Sequence, residues 1–277
     1  MTERSTPPDY GHDWEANARE DAFYSILTSP DKRAGWDEAS FFAAGDDEVA
    51  RVFAFTESAG IDLSQRSRFL DFGCGVGRNT RALMKRFDSG IGIDISPTMI
   101  SLARRFSAPD PKAAEYVVNS GPDVAFVPTG SVDFVYSHIV LQHIPSALQM
   151  GYIADFVRVL APGGVAAFQV ITGWHAPTLI RAAKRVLTPY VLRIYRRIHN
   201  NTIHMEMNPV DGREILRLCG PHSRAVIVQA PYTNSTDPSH GGRIEFTTRD
   251  AAVRGIRERA TDSDFLSQFF FVRKLAT

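Results

Sequence analysis

Along residues 68–171, short runs of apolar residues alternate with longer blocks in which apolar and polar residues are mixed. Short runs rich in β-branched and aromatic residues predict buried strands, and longer blocks with apolar residues three and four apart predict amphipathic helices. The pattern predicts strands at 68–72, 90–95, 115–119, 132–136 and 165–171, with helices at 79–87, 97–106 and 147–160. Strands separated by helices are typical of a parallel sheet, whose ligands bind at the carboxyl ends of the strands.

The pattern is less regular on both sides of this block. Helical spacing occurs near 14–28 and 46–59, and again across 176–200, where Pro189 is expected to separate two helices. A helix at 212–218, strands at 225–229 and 269–274, and a helix near 251–259 follow, with no clear strand between 231 and 262. The chain therefore divides into an N-terminal tail and helical arm (1–60) and a main domain (61–277) with a helical insertion at 174–207.

Composition narrows the class of protein. The 277 residues include 31 Lys+Arg and 31 Asp+Glu, and this balance gives no reason to expect a general nucleic-acid binder. Two cysteines make neither a disulfide framework nor a metal-ligand spacing. No signal-peptide pattern and no membrane-spanning run is found, which predicts a cytoplasmic protein. Residues 175–205 hold six basic residues and no acid, so the remainder carries six more acidic than basic residues.

A glycine-rich loop at 73–77 follows the first predicted strand, with Asp71 two residues ahead of it. Glycines permit a tight turn and a close backbone approach to a ligand. Arg78 stands where the dinucleotide fingerprint needs glycine, and the loop lacks a P-loop ending. Asp94, at the end of the second strand, is placed to accept ribose hydroxyl groups. An acid ahead of the glycines suits an adenosine ligand whose tail carries an amino group.

Three blocks of motif residues resemble the class I S-adenosylmethionine-dependent methyltransferases over about residues 68–170. They are Asp71-x-Gly73-x-Gly75-x-Gly77, Gly92-x-Asp94 with Ser96-Pro97-x-Met99, and Leu160-x-Pro162-Gly163-Gly164. The resemblance implies a doubly wound α/β fold: a mostly parallel, seven-stranded Rossmann-like sheet with an antiparallel last strand and a helical insertion after strand five. It also implies S-adenosylmethionine as the cofactor and S-adenosylhomocysteine as its product.

The resemblance also implies the cofactor contacts. The glycine loop would pass the methionine part, Asp94 would hold the ribose, and Ile95 and Met99 would flank the adenine. Asn119 or Ser120 would replace an aspartate that many relatives carry near the adenine. The full set of implied cofactor contacts is Arg33, Trp36, Asp71, Gly73, Cys74, Gly75, Asp94, Ile95, Met99, Asn119, Ser120, Ser137 and His138. Arg33, in the arm that would cover the cofactor, would pair its carboxylate, or else it faces solvent.

Two histidines, His138 and His143, follow the fourth strand, where relatives place the transferred methyl group. A histidine there is suited to take a proton from an acceptor hydroxyl, which contributes about 10²–10⁴-fold to a rate. His143 is the first candidate for this base or for orienting the acceptor. His138 is the second candidate for this role. Its other interpretation is a residue that lines the cofactor site without taking a proton. Simple packing of a histidine beside the cofactor is the alternative for both.

The insertion at 174–207 has three interpretations: a solvated basic face, a substrate lid or homodimer contact, or a helix on a membrane surface. Pro189 interrupts its apolar face, so no stable membrane anchoring is expected. Residues expected to line an acceptor pocket are Trp174, His204, Glu206 and Tyr232. His204 with Glu206 does not make a metal site, and no metal is predicted.

The sequence therefore predicts methyl transfer to a hydroxyl of a saccharide or similar polar small molecule, with a histidine as general base. A loose resemblance to bacterial saccharide O-methyltransferases favours an oligosaccharide acceptor. The segment from Ser137 to Val140 differs from the Asn/Asp-Pro-Pro-aromatic run of enzymes that methylate DNA amino groups, so nucleic acid is not an expected partner. The alternatives are an N- or C-methyltransferase of a natural product or lipid, and a non-catalytic S-adenosylmethionine-binding module.

Overall fold

A computed structural model describes residues 10–27, 35–63, 65–108, 110–174, 207–223, 227–234, 244–246 and 265–275. Arg33, His204, Glu206, nearly all of the insertion at 174–207 and the helix expected near 251–259 lie outside these ranges. The helices are α1 (Tyr10–Ile26), α2 (Glu38–Ser58), α3 (Arg78–Met84), α4 (Pro97–Ser107), α5 (Ser146–Val159) and α6 (Gly212–Ser223). The strands are β1 (Arg68–Phe72), β2 (Ser89–Asp94), β3 (Glu115–Val118), β4 (Val132–Ser137), β5 (Leu160–Trp174), β6 (Ile227–Asn234), β7 (Ile244–Phe246) and β8 (Phe265–Arg273).

The strands form one sheet in the order β3-β2-β1-β4-β5-β8-β6-β7. Strands β1 to β5 are mutually parallel, whereas β8 runs antiparallel to both β5 and β6. The predicted mostly parallel α/β sheet with an antiparallel last strand is therefore confirmed.

The strand count differs from the expected seven, since the described part of the chain forms eight. The additional strand, β7, pairs antiparallel with β6 in a stretch where the sequence predicted none. Three residues are too few to show a period of two, and the pairing is made by tertiary contact with β6. Strand β6 itself continues through Pro231, a residue that argues against a strand in any local pattern.

The buried core lies on both faces of the sheet, because successive side chains of a strand point to opposite sides. Phe69 and Phe134 pack with α2, α3 and α4, whereas Leu70 and Val135 pack with α5 and α6. The strand order reverses direction at β1, whose neighbours are β2 and β4. This switch point opens a crevice at the carboxyl ends of these three strands. Among the helices described, none is both long and apolar enough to span a bilayer.

Candidate functional site

A cavity lies in this crevice, enclosed by the loops after β1, β2, β3 and β4 and covered by α1. Ten of the predicted site residues line it: Asp71, Gly73, Cys74, Gly75, Asp94, Ile95, Met99, Asn119, His138 and His143. Three others, Trp36, Ser120 and Ser137, are not among the lining residues. Trp174 and Tyr232 belong to β5 and β6, and the structure describes only their backbone.

The glycine loop forms the floor of the cavity and is fastened to the end of β2. The backbone N–H groups of Gly73 and Cys74 both donate to Ile93 O, at 2.8 and 2.9 Å. Gly73 has φ +74° and Gly77, the N-cap residue before α3, has φ +85°, a region that residues with a side chain disfavour. A Cβ atom on Gly73 would stand 2.3 Å from a methyl group of Val140. The bare backbone is thus required by both conformation and space.

The carboxylate of Asp94 accepts hydrogen bonds from the glycine loop and from the segment that follows β2. Its Oδ2 accepts the N–H of Gly75 and its Oδ1 accepts the N–H of Ser96, both at 2.9 Å. Burial raises the pKa of this carboxyl group. A carboxylate offers about four acceptor positions, so these two bonds leave acceptor capacity for a ligand hydroxyl in the cavity.

Asp71 is buried beneath the loop, and the hydroxyl of Thr80 donates to its Oδ2 at 2.5 Å. Burial raises the pKa of Asp71 to about 7; the Thr80 bond opposes this, and the charge of Glu48 adds to it. Asp71 is therefore close to half-ionised at neutral pH. A cation placed beside it would favour the ionised form.

Glu48, on α2, is a buried carboxylate that no sequence motif indicated. Its Oε2 accepts from Arg78 Nη2 at 2.7 Å. Its Oε1 accepts from Asn79 Nδ2 at 2.6 Å, from the Tyr136 hydroxyl at 2.7 Å and from His138 Nδ1 at 2.8 Å. Although burial opposes ionisation, Arg78 and His138 hold the pKa of Glu48 well below its usual range. The carboxylate thus ties α2 to three residues that line the cavity.

Glu48 could have been found from one signal in the sequence. It occupies the buried face of α2, three residues after Gly45 and four before Val52, where an amphipathic helix places apolar side chains. A charged residue on such a face needs a buried partner. The sequence does not identify that partner, because Arg78 and His138 approach it only in the folded chain.

His143 lies at the end of a chain of hydrogen bonds that runs through two buried glutamine side chains. The backbone N–H of Ile139 donates to Gln169 Oε1 at 3.1 Å, and Gln169 Nε2 donates to Gln142 Oε1 at 2.8 Å. Gln142 Nε2 lies 3.0 Å from His143 Nε2. On its other side the His143 ring meets the Trp14 ring edge-on, with centroids 5.1 Å apart. His143 therefore joins the cavity wall to α1.

Helix α1 contributes Trp14, Ser25 and Ile26 to the cavity lining, none of which was predicted. Trp36 instead lies behind α1, where its indole donates to Leu27 O at 3.0 Å and its ring packs edge-on against Phe41. The sequence placed an arm over this site, but Trp36, the described residue that it named there, does not line the cavity. Helix periodicity alone does not show which turn of a covering helix reaches a cavity.

The side chain of Asn119 makes two hydrogen bonds within its own loop, the one that follows β3. Its Nδ2 donates to Asp123 O at 3.0 Å and its Oδ1 accepts from Gly121 N at 3.3 Å. The hydroxyl of Tyr152, another lining residue that was not predicted, donates to Gly121 O at 2.6 Å. These hydrogen bonds brace the loop after β3, which lines the same cavity as Ile95 and Met99.

Helix α1 is fastened to the start of α4 by Glu15. The Glu15 carboxylate accepts from Ser96 Oγ and Thr98 Oγ1, both at 2.6 Å, and from Thr98 N at 3.1 Å. Burial raises the pKa of Glu15, but these bonds and the one from Arg19 outweigh it and lower the pKa to about 2. An anion at a helix N-terminus is also favoured by the helix dipole.

Acid is expected to release α1 from α4. Because the pKa of Glu15 is lower in the folded chain than its ordinary 4.5, its stabilisation is complete above pH 4.5 and is lost as the pH falls toward 2. Hydrogen-exchange protection factors of the α1 amides should therefore fall over this window. Glu15→Gln, which cannot ionise, should show weaker protection at pH 6 and little further loss in acid. Equal acid sensitivity of wild type and variant would contradict the role of Glu15.

Comparisons with known proteins agree with this geometry. Residues 70–168 match the family model described as a methyltransferase domain. The 2-methyl-6-phytyl-1,4-hydroquinone methyltransferase of Synechocystis is 31% identical over 47% of this chain and 42% of that protein. The trans-aconitate 2-methyltransferase of Methylobacterium nodulans is 30% identical, covering 52% of this chain and 53% of that protein. The matched segment thus spans about half or less of these curated relatives.

One solved structure resembles the chain over nearly its whole length. The geranyl diphosphate C-methyltransferase from Streptomyces coelicolor A3(2) aligns with a TM-score of 0.56 and 16% identity, covering 98% of this chain and 100% of that one. At this identity the likeness shows the fold. The expected methyltransferase fold is thereby confirmed.

Proposed function

We propose that the protein transfers a methyl group from S-adenosylmethionine to a hydroxyl group of a small molecule. The match of residues 70–168 to a methyltransferase domain supports the methyl transfer. The observation that carries the proposal is the meeting of the glycine loop and the two histidines, His138 and His143, around one cavity. Hydroxyl acceptors must lose a proton on methylation, and histidine is the side chain suited to take it near neutral pH.

The residues around the cavity fit the cofactor. The glycine loop leaves its backbone bare for the methionine part, and Asp94 keeps acceptor capacity for the ribose. Asn79 gives its amide nitrogen to Glu48, while its buried Oδ1 has no hydrogen-bond partner within the described structure. This oxygen and Asp71 are two acceptors for the cofactor's ammonium group. The bound cofactor would supply an electrophilic methyl group on a sulfonium.

The described wall around the histidines is mainly apolar. It includes Trp14, Ile139, Val140 and Ile144. These side chains favour an acceptor whose hydroxyl is carried on a planar or apolar scaffold. A saccharide acceptor remains the sequence-based prediction, and the side chains expected to bind it at 174, 204, 206 and 232 lie outside the description.

Cofactor affinity should rise with pH up to about neutrality. Asp71 has a pKa of about 7 without ligand, and an ammonium group beside it would lower that value. Below pH 7 binding must then expel a proton, so affinity falls by up to about tenfold per pH unit. Titration calorimetry between pH 5.5 and 8 measures this slope. Asp71→Asn should flatten it, and an unchanged slope in the variant would exclude Asp71 as its source.

The test of the function is transfer of a labelled methyl group from S-adenosylmethionine to a panel of acceptors. The panel contains phenols and hydroquinones, oligosaccharides, and carboxylic acids, and the methylated atom is identified by NMR of the product. Label on a hydroxyl oxygen supports the proposal. Label on carbon or nitrogen overturns it in favour of the C- or N-methyltransferase alternative. Absence of cofactor binding in calorimetry overturns it in favour of another role.

A further inference from the structure

Ile139, in the loop that follows β4, has a backbone conformation that its residue type disfavours. Its φ is +59°, in the left-handed region. There the Cβ atom crowds the backbone carbonyl oxygen, and a side chain that branches at Cβ adds to the crowding. Within the described ranges, every other residue with a positive φ is a glycine. Ile139 is therefore the one strained position of this kind in the part of the chain that the structure describes.

The turn after β4 does not by itself account for an isoleucine at this position. The chain leaves the strand at Ser137 and enters a single helical turn at Leu141–His143. A glycine would allow this change of direction without strain, as glycines do at positions 130 and 163. Backbone strain that persists at the wall of a cavity is typical of positions that serve a ligand. The strain at 139 therefore indicates that the side chain itself is needed.

A buried amide holds the backbone of Ile139. Gln169 lies in β5 between Phe168 and Val170, and all three residues are fully buried. Its Oε1 accepts from Ile139 N at 3.1 Å, and its Nε2 donates to Gln142 Oε1 at 2.8 Å. An amide inside an apolar strand is unfavourable unless its polar groups are bonded. Both bonds of Gln169 go to the segment after β4, so this amide supports the strained segment.

Ile139 belongs to the cavity wall rather than to the core. It lines the cavity and is half-buried, and within the described ranges it is not among the residues that pack against the apolar clusters of the core. The next residue, Val140, lies against the glycine loop, where a Cβ atom on Gly73 would stand 2.3 Å from its methyl group. Ile139 therefore lies beside the loop that would hold the methionine part of the cofactor, where an acceptor must approach the methyl group.

We infer that Gln169 is a positioning residue that holds Ile139 in the left-handed conformation, and that the Ile139 side chain limits how wide an acceptor can lie beside the transferred methyl group. The inference rests on the proposed function for the kind of ligand, and it adds the residue that selects among acceptors. The chemistry that fits is a flat, apolar scaffold of limited width, such as a phenol with one ring. A wider scaffold would collide with the branched side chain.

Urea unfolding of the full chain tests the strain without any ligand. Alanine at 139 keeps a Cβ atom in the left-handed region and glycine does not, so Ile139→Gly should unfold at a higher urea concentration than Ile139→Ala. Ile144 is the matched control, because it lines the same cavity but has φ −93°. There the alanine variant should be the more stable of the two. The same order at both positions would overturn the inference.

Calorimetry with two probes tests the selection of acceptors. Phenol, with one ring, and 2-naphthol, with two, are titrated into protein saturated with S-adenosylhomocysteine. In Ile139→Ala the ratio of the two affinities should shift toward 2-naphthol by about tenfold or more relative to the wild type. An unchanged ratio, or no binding of either probe to any of the proteins, overturns the inference. A shifted ratio without methyl transfer to either probe supports the inference and counts against the proposed function alone.

Two variants of Gln169 test its positioning role. Gln169→Met removes both hydrogen bonds and should shift the affinity ratio in the same direction as Ile139→Ala, with no further shift when the two are combined. Gln169→Glu, kept protonated by burial, retains an acceptor and a donor and should keep the ratio within a few-fold of the wild type. If Gln169→Met weakens both probes equally, the amide has only a structural role and the inference is overturned. The Ile139 variants keep Gln169 intact, so their result does not depend on the folding of Gln169→Met.

Discussion

Replacement of Gly73 by alanine is expected to weaken S-adenosylmethionine binding by about thirtyfold or more. Two costs combine at this position. A side chain at φ +74° costs roughly 1–2 kcal/mol. The new Cβ atom would also lie 2.3 Å from a Val140 methyl group, and such overpacking costs about 1–3 kcal/mol. Moving the loop or Val140 to relieve the contact changes the cavity floor. Because the cofactor binds to the loop in its native shape, these costs oppose binding, and their lower bound of about 2 kcal/mol corresponds to about thirtyfold in affinity.

Gly163→Ala is the matched control for this prediction. Gly163 has φ +83°, but an added Cβ atom would meet nothing within 4 Å, and the residue does not line the cavity. Alanine at position 163 therefore has the unfavourable positive φ but makes no steric clash. We expect its dissociation constant by calorimetry to equal the wild-type value. Val140→Ala combined with Gly73→Ala should recover part of the lost affinity. An unchanged affinity in Gly73→Ala alone would show that the loop does not need its bare backbone.

Local sequence patterns were enough for the features that depend on neighbours along the chain. The glycine loop, the acid at the end of β2 and the strands that precede them all lie within 68–94, and each has a short-range cause. The carboxyl ends of parallel strands then meet by topology, which is why ten predicted residues line one cavity.

The features that sequence patterns did not supply depend on distant partners. His138 and Glu48 are 90 residues apart, and Gln142 and Gln169 are 27 apart. No local pattern could show these contacts, because each joins residues that are far apart in the chain. The same holds for α1, whose position is set by Glu15 meeting Thr98, 83 residues away.

Replacement of Arg78 by methionine is expected to lower the free energy of unfolding by about 3–5 kcal/mol, the cost of leaving a buried charge unpaired. The side chains of Arg78 and Glu48 are only 5% and 2% exposed, so water cannot replace the lost partner. Asn79, Tyr136 and His138 would still donate to Glu48, but they do not replace the permanent charge of the arginine. Urea unfolding at pH 7 measures the loss.

Lys85→Met is the matched control, because Lys85, the residue that follows α3, forms an exposed ion pair at 2.7 Å with Asp46 on α2. Their side chains are 66% and 44% exposed, so its removal should cost less than about 1 kcal/mol. The two variants should also differ in how their losses depend on pH. In Arg78→Met the buried Glu48 is easier to protonate. The difference in the free energy of unfolding between this variant and the wild type should therefore shrink as the pH falls, and be smaller below pH 4.5, the ordinary pKa of the carboxyl group, than at pH 7. Equal losses for Arg78→Met and Lys85→Met at pH 7 would show that Glu48 does not need a buried cation. The ion pair with Arg78 would then not explain why Glu48 stays ionised beside His138.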